Sequence, residues 1–359
     1  MSVLFVDEEI SQYIKNHKIQ SFRTKQIFHE LFKNQNIFWD EMTTLPNDLK
    51  QQLSQDFSVI NLDIEKIIET PETTKFAFKT YDWYTIEAVL MYHWSKHVEN
   101  KLNRITLCLS SQIWCPMWCA FCVTGKLGLI RNLDWTEIVS QMLFVNHYIK
   151  DKFGKKEDGT LRSVRNVVFM WMWEPLLNYD NVKKAIEIMF KQDRFSLSRR
   201  HVTISTVWVI PWIQRLIDDK LESMLAVSLH APTQDLRENI LPSAKIYPLK
   251  DLMTILKKYE KFTWNRLFYE YIMIDWITDG DQNAKNLIKL LKWQNCHVNL
   301  IPYNENPVVD FRESSIESID SFKSQLEKWW LTVTIRDSMW RESKWACGQL
   351  WYEKLKQDN

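Results

Sequence analysis

Hydrophobic residues recur at helical spacing near the start of this chain. Phe22, Ile27, Phe28, Leu31 and Phe32 share one face over 19–32, and Pro46 opens a second helix over 47–57. Residues 1 to about 60 therefore read as helical. The period then changes to two. Segments 74–80 and 85–92 alternate on either side of Asp82-Trp83, the pattern of two strands joined by a turn. Residues 93–103 are polar and read as a linker. Beyond them strands and helices take turns. Strands are predicted over 104–109, 164–170, 201–205, 224–229, 268–274, 298–302 and 332–336. Helices are predicted over 136–148, 181–190, 210–218, 249–259, 281–292 and 316–329. This β-α repetition predicts a parallel sheet with crossover helices, closed as a barrel or open and wound. In such barrels the reacting groups gather at the C-terminal ends of the strands.

The candidate chemistry follows one of those strands. Cys115, Cys119 and Cys122 stand in the run Cys-Pro-Met-Trp-Cys-Ala-Phe-Cys. Three thiolates at this spacing can hold three corners of a [4Fe-4S] cubane. The fourth iron is then open to bind and reduce another molecule, which points to an enzyme. A structural zinc site would want a fourth ligand. The sequence has no second cysteine pair, and His147 is the nearest downstream histidine. Buried cysteines of purely structural use are common, but three within eight residues are poorly explained by packing alone.

Composition adds bounds. The 359 residues suffice for one large α/β domain and a smaller one. The N-terminus has no basic, apolar leader, and no apolar run reaches membrane-spanning length, so a cytoplasmic protein without a membrane partner is expected. Six cysteines arranged this way suit a reducing compartment. A net charge of +1 neither favours nor excludes nucleic acid, although the basic runs at 150–156 and 199–201 offer local positive surface. One figure is abnormal: 18 Trp and 6 Gly, where about 25 Gly would be usual. Several Trp stand in turn and strand-end contexts that ordinarily call for glycine.

The motifs together resemble a known family. They are Thr-Leu-Cys-Leu-Ser-Ser-Gln (106–112), the cysteine loop continuing to Thr124-Gly125, Met-Trp-Glu-Pro-Leu-Leu-Asn (172–178), Ser-Thr-Val (205–207), Ser-Leu-His-Ala-Pro (228–232), Asn-Leu-Ile-Pro-Tyr-Asn (299–304) and Ala-Cys-Gly-Gln-Leu (346–350). With Phe-Arg-Thr-Lys-Gln-Ile-Phe-His (22–29) and Met-Thr-Thr-Leu-Pro (42–46), the sequence is similar to the radical S-adenosylmethionine adenine-C2 methyltransferases of 23S ribosomal RNA and transfer RNA. The resemblance spans nearly the whole chain. It implies an α/β fold, a partial (β/α) barrel over 104–340, preceded by a small α+β accessory domain over 1–92 and a linker over 93–103. The last segment, 341–359, would carry a methyl-accepting cysteine.

It also implies roles. Cys115, Cys119 and Cys122 would hold one [4Fe-4S] cluster with an open iron. Trp173, Glu174, Ser205, Ser228, Leu229, His230 and Asn304 match cofactor-binding positions, with Glu174 accepting the methionine ammonium. The plainer use of Glu174 is as an acid at a helix N-terminus. Cys347 would be methylated by a first S-adenosylmethionine. A second would supply the radical that removes hydrogen from the S-methyl group, and the resulting carbon adds to adenine C2. Cys108 would resolve the covalent RNA adduct and leave a disulfide. Glu87 would accept the proton, its plainer use being an exposed strand carboxylate. Cys296 matches no motif. A low-potential donor such as flavodoxin is implied, and the protein is expected to be a monomer. The nearest alternative is the sister activity on C8 of the same adenine, against which the Ser-Ser-Gln-Ile-Trp-Cys-Pro-Met and Leu-Ile-Pro-Tyr-Asn contexts favour C2.

The chain departs from the family at its glycines. Trp171 and Trp173 occupy those of Gly-Met-Gly-Glu-Pro, Trp208 that of Ser-Thr-Val-Gly, and Trp345 the one before Ala-Cys. Trp114 and Trp118 flank the cluster cysteines, and Trp83, Trp212, Trp276, Trp330, Trp340 and Trp351 fall where the family has or accepts glycine. Some bacteria read UGA as glycine, and the expectation is that these tryptophans are such codons translated by another table. Genuine tryptophans would instead predict little cofactor binding, a poorly packed core and a catalytically inactive iron–sulfur or RNA-binding protein.

Overall fold

The computed structural model describes residues 2–95, 102–126, 128–170, 174–207, 209–306 and 308–336. Trp171, Trp173, Trp208, Trp340, Trp345, Cys347 and Trp351 lie outside the described residues. The chain divides into two compact units. One takes in Met1–Ser111, Leu133–Val167 and Asp180–Val202, and the other Gln112–Asn132, Val168–Tyr179 and Thr203–Asn359.

The first unit opens with helices α1 (Asp7–Asn16), α2 (Phe22–Phe32) and α3 (Asn47–Asp56) and a short parallel pair, β1 (Ser2–Val3) with β2 (Phe57–Ser58). Four antiparallel strands follow in order: β3 (Asp63–Glu69), β4 (Thr73–Lys79), β5 (Thr85–Trp94) and β6 (Leu102–Cys108). β5 and β6 thus enter the stretch read as a linker from its polarity. Helix α4 (Trp135–Phe153) starts at a capping box in which Asp134 accepts from the Thr136 amide and Glu137 from the Asp134 amide. Phe144 of α4 meets Phe76 and Phe78 of β4 edge-on, so one face of the sheet forms the core. Helix α5 (Tyr179–Phe190) completes the unit.

The opposite face of that sheet is polar and still buried. Lys75, Glu87 and Cys108 all project there, because Lys75 is paired with Val89, Val89 with Cys108, and Glu87 lies two residues from Val89. All three are less than a tenth exposed.

In the second unit β7 (Gln112–Ile113) and β8 (Arg131–Asn132) pair across the base of the cysteine loop. The division between units runs through β9 (Asn166–Phe169). Five strands are then parallel in sequence order: β10 (Val202–Thr206), β11 (Met224–Ser228), β12 (Leu267–Met273), β13 (Cys296–Pro302) and β14 (Thr332–Ile335). Their connections carry α6 (Ile210–Asp218), α7 (Gln234–Ile240), α8 (Leu249–Thr263), α9 (Asp281–Leu291) and α10 (Ile316–Glu327). The α/β class and the alternation expected from the sequence are observed. Among the described residues no helix is long and apolar enough to cross a membrane.

Eleven described non-glycine residues have left-handed backbone, and six of them are tryptophan: Trp83, Trp114, Trp118, Trp264, Trp276 and Trp330. Only glycine adopts this region without steric cost. Trp83 occupies the turn between β4 and β5, and Trp264 is the left-handed cap of α8, both places where glycine is the ordinary choice. Trp264, Trp276 and Trp330 are 87%, 93% and 96% exposed, the reverse of the usual fate of an indole. Their cost is torsional, so the poorly packed core expected of genuine tryptophans does not arise at these three positions. Trp212 behaves differently: it lies within α6 and stacks on Tyr179.

Candidate active site

The cysteine loop belongs wholly to the second unit, between β7 and β8. Cys115 and Cys119 are buried, and Cys122 is half-buried. The Cys122 amide donates to the Cys119 carbonyl at 3.1 Å, and the Ala120 amide to the Ile240 carbonyl at the end of α7 at 2.9 Å. A Cβ on Gly125 would meet the Cys119 amide nitrogen at 3.2 Å, so that glycine lets the loop close on itself. Trp114 and Trp118 stand just before Cys115 and Cys119 with φ of 61° and 53°.

All three thiols are held above their ordinary range. Burial is the largest cause. For Cys115 the charge of Cys122 comes next, and for Cys119 those of Cys122 and Cys115. The three sulfurs therefore sense one another as a group, with the Glu174 carboxylate adding to the negative field at Cys115 and Cys119. Such a set is stable as thiolates only around positive charge. Among the described residues no group of His, Cys, Asp or Glu is drawn tightly enough to hold a single metal ion.

Glu174 is fully buried, at the start of a short 3-10 helix, Pro175–Asn178. Its Oε1 accepts from the Leu176 amide at 3.2 Å and its Oε2 from the Val207 amide at 2.7 Å. Its own amide donates to Gln112 Oε1 at 3.0 Å. The capping use weighed from the sequence is therefore real. Burial nonetheless outweighs these bonds and the one from Thr206, and pushes the carboxyl up to about 7. An incoming ammonium would reverse that balance. The sign follows: a carboxyl raised from about 4.5 to about 7 costs stability as pH rises through that window and nothing more above it. In the cofactor-free chain we expect Glu174 to contribute up to about 3 kcal/mol of the loss between these pH values, so that Glu174→Gln shows a fall shallower by that amount while the part due to Glu87 remains. Denaturant titrations across pH measure it; equal pH profiles would contradict it.

Ser228 ends β11, and Leu229 and His230 follow it. Asn304 lies two residues beyond β13. Ser205 departs slightly from the expectation that site residues follow strand ends, being the penultimate residue inside β10. His230 is buried, with φ of 56°, and burial pushes its imidazole down to about 3. Its Nδ1 accepts from the Ile272 amide at 3.2 Å. The ring is therefore neutral with its proton on Nε2, a fixed donor. Phe121 of the cysteine loop packs edge-on to it, centroids 4.9 Å apart.

Glu87 and Cys108 belong to the first unit. Glu87 is 5% exposed, which overturns its reading as an exposed strand carboxylate. It forms an ion pair with Lys75, and burial lifts its carboxyl to about 7 against the pull of that lysine. Cys108 is buried. Cys296 is a buried thiol, pushed up to about 12 by burial, as expected of a packed cysteine. In the basic run at 150–156, Lys150 bonds Asn36 and Glu41, and Lys152 bonds Glu69. Two residues escaped the sequence reading. Lys75 carries no motif and was hidden by strand alternation. Arg237 sits three residues from buried Ile240, on a helix too short to show a period.

Related proteins place this arrangement. No protein-family model matches the sequence. A "Probable dual-specificity RNA methyltransferase RlmN" from Dictyoglomus turgidum is 36% identical over 346 residues, covering 96% of this chain and 95% of its own. The protein of the same name from Chloroherpeton thalassium is 38% identical over 349 residues, covering 96% and 91%. The crystal structure of a radical SAM methyltransferase from Sphaerobacter thermophilus superposes with a TM-score of 0.87 at 33% identity, covering 97% of each chain. On the strength of near-full-length similarity and a matching fold, the chain belongs to the RlmN family of radical SAM methyltransferases.

Proposed function

We propose that this chain methylates C2 of one adenosine in 23S ribosomal RNA and of one in transfer RNA, next to the anticodon. The observation that carries the reading is the buried three-thiol loop, within the electrostatic reach of Glu174 and in the same unit as the strand-end residues Ser228–His230. The relatives' names supply the substrate class. A [4Fe-4S] cluster and S-adenosylmethionine, when bound, would supply one-electron cleavage of a sulfonium and so a radical able to take a hydrogen atom from the S-methyl group of Cys347, giving a carbon that can add to a ring position that is not nucleophilic.

The chain's residues do the rest. Cys115, Cys119 and Cys122 would hold the cluster. Glu174 accepts the ammonium of the methionine moiety, and Ser205, Ser228, Leu229 and Asn304 line the remainder. The His230 Nε2–H donates to the cofactor and keeps its proton across the working pH range. Cys347 carries the methyl group taken from the first of two S-adenosylmethionine molecules per turnover. The S-methyl carbon, having lost a hydrogen atom, would bond to C2, and Glu87 would take the C2 proton as the resulting radical adduct gives up one electron to the oxidised cluster. Cys108 then attacks the sulfur of Cys347. The S–S bond forms as the carbon–sulfur bond breaks, and the released carbon takes up a proton to become the new methyl group. Electrons come from a flavodoxin-like donor.

A base poised near pH 7 suits a neutral cytoplasm. Lys75 lowers the Glu87 carboxyl, so Lys75→Met should raise it further and move the acid limb of the pH–rate profile to higher pH. An unmoved limb would remove Glu87 from the base's role.

We also propose that the native polypeptide carries glycine at the left-handed tryptophan positions. Genuine tryptophan there favours the second reading, an inactive RNA-binding scaffold. Mass spectrometry of nucleosides from RNA treated with the anaerobically reconstituted chain decides the activity: 2-methyladenosine supports the proposal, 8-methyladenosine the sister chemistry, and no product the scaffold.

A further inference from the structure

Arg237 is a fully buried arginine that the reaction above does not use. It projects from α7, and its guanidinium donates to three backbone carbonyls: Leu229 at 2.8 Å, Val207 at 3.0 Å and Ser228 at 3.3 Å. These carbonyls end two neighbouring strands, β10 and β11. A planar fork of fixed donors suits such a three-way grip, and a lysine ammonium does not. The Val207 peptide is engaged at both ends, because its amide donates to Glu174 Oε2 while its carbonyl accepts from Arg237. At its C-terminal end α7 also accepts the Ala120 amide of the cysteine loop at Ile240. Burying a guanidinium is costly unless its bonds are made, so an arginine kept here for packing alone would be a poor choice.

We propose that Arg237 is the positioning residue of the cofactor pocket: it fixes the ends of β10 and β11 so that Val207 aims Glu174 and the 228–230 segment presents its donors. The inference rests on the assignment of Glu174 and Ser228–His230 to that pocket. Arg237 touches no reacting atom.

The test is S-adenosylmethionine binding to the reconstituted holoenzyme, read by equilibrium dialysis and by the cofactor-induced change in the cluster's electron paramagnetic resonance signal. In Arg237→Lys, which keeps the charge and most of the stem, we expect the dissociation constant to rise by about tenfold or more. Iron and sulfide content should stay at the wild-type level. Hydrogen exchange in the cofactor-free chain should quicken at the Val207 amide and not across the second unit as a whole. Arg237→Gln should show the same changes, enlarged, and the lysine variant keeps the test open if the glutamine variant does not fold. Wild-type affinity and an unchanged Val207 exchange rate in Arg237→Lys, alongside lost binding in Glu174→Ala, would overturn this inference alone. Failure of the wild-type chain to bind S-adenosylmethionine would overturn it together with the pocket assignment.

Discussion

Serine in place of Cys119 is expected to abolish the visible absorbance of the reconstituted chain and to reduce methylation to background. A serine hydroxyl at this buried position cannot supply the thiolate that an iron corner needs, and two remaining cysteines leave the cubane under-ligated. The comparison that gives this result its meaning is Cys296→Ser. Cys296 is equally buried, at the start of β13. Its loss should cost about 1–2 kcal/mol of stability through a buried hydroxyl and leave the cluster untouched. If Cys119→Ser retains a wild-type cluster spectrum, or if Cys296→Ser loses it, the loop 115–122 is not the cluster site.

The second large effect is on stability. Six tryptophans in left-handed backbone each cost on the order of 1 kcal/mol or more relative to glycine. They are spread along the chain, so their costs largely add, to a sum of about 6–12 kcal/mol. That is comparable with the whole stability of an ordinary domain. Glycine at positions 83, 114, 118, 264, 276 and 330 should therefore raise the unfolding midpoint substantially, in denaturant and in heat alike. At 114 and 118 it should also improve cluster loading, because those residues set the path of the cysteine loop. A glycine-substituted chain no more stable than the tryptophan form would contradict the torsional argument. UGG codons at these positions in the gene would refute the mistranslation itself.

Much of this was legible in the sequence because the signals were local. The Cys-x3-Cys-x2-Cys run and the alternation of β4 and β5 each declare themselves within a few residues. The strand pattern sets in at about residue 60, but the bounds of β3 did not declare themselves, because Asp63, Glu65, Lys66 and Glu69 interrupt its apolar alternation on a largely exposed strand. Ser205 was legible as a site residue, but its place one residue inside β10 was not, since strand ends are fixed by pairing with β11. The ion pair of Lys75 with Glu87 joins residues on two strands, and the grip of Arg237 joins a helix to two strand ends. Such contacts depend on register and tertiary approach, which no single window of sequence encodes. The left-handed state of Trp264 escaped for a related reason: it follows from where α8 stops.

The central claim is that a three-cysteine iron–sulfur centre in this chain drives carbon–carbon bond formation at an adenine ring, with Cys347 carrying the methyl group. The most direct test is a single-turnover reaction under anaerobic conditions with S-adenosylmethionine labelled in its methyl group, using chain first methylated with unlabelled cofactor. The account predicts that the adenine's new methyl group is unlabelled, delivered from Cys347, and that Cys347→Ser gives no product. Label appearing directly in the adenine in that first turnover, or product formed by Cys347→Ser, would contradict it.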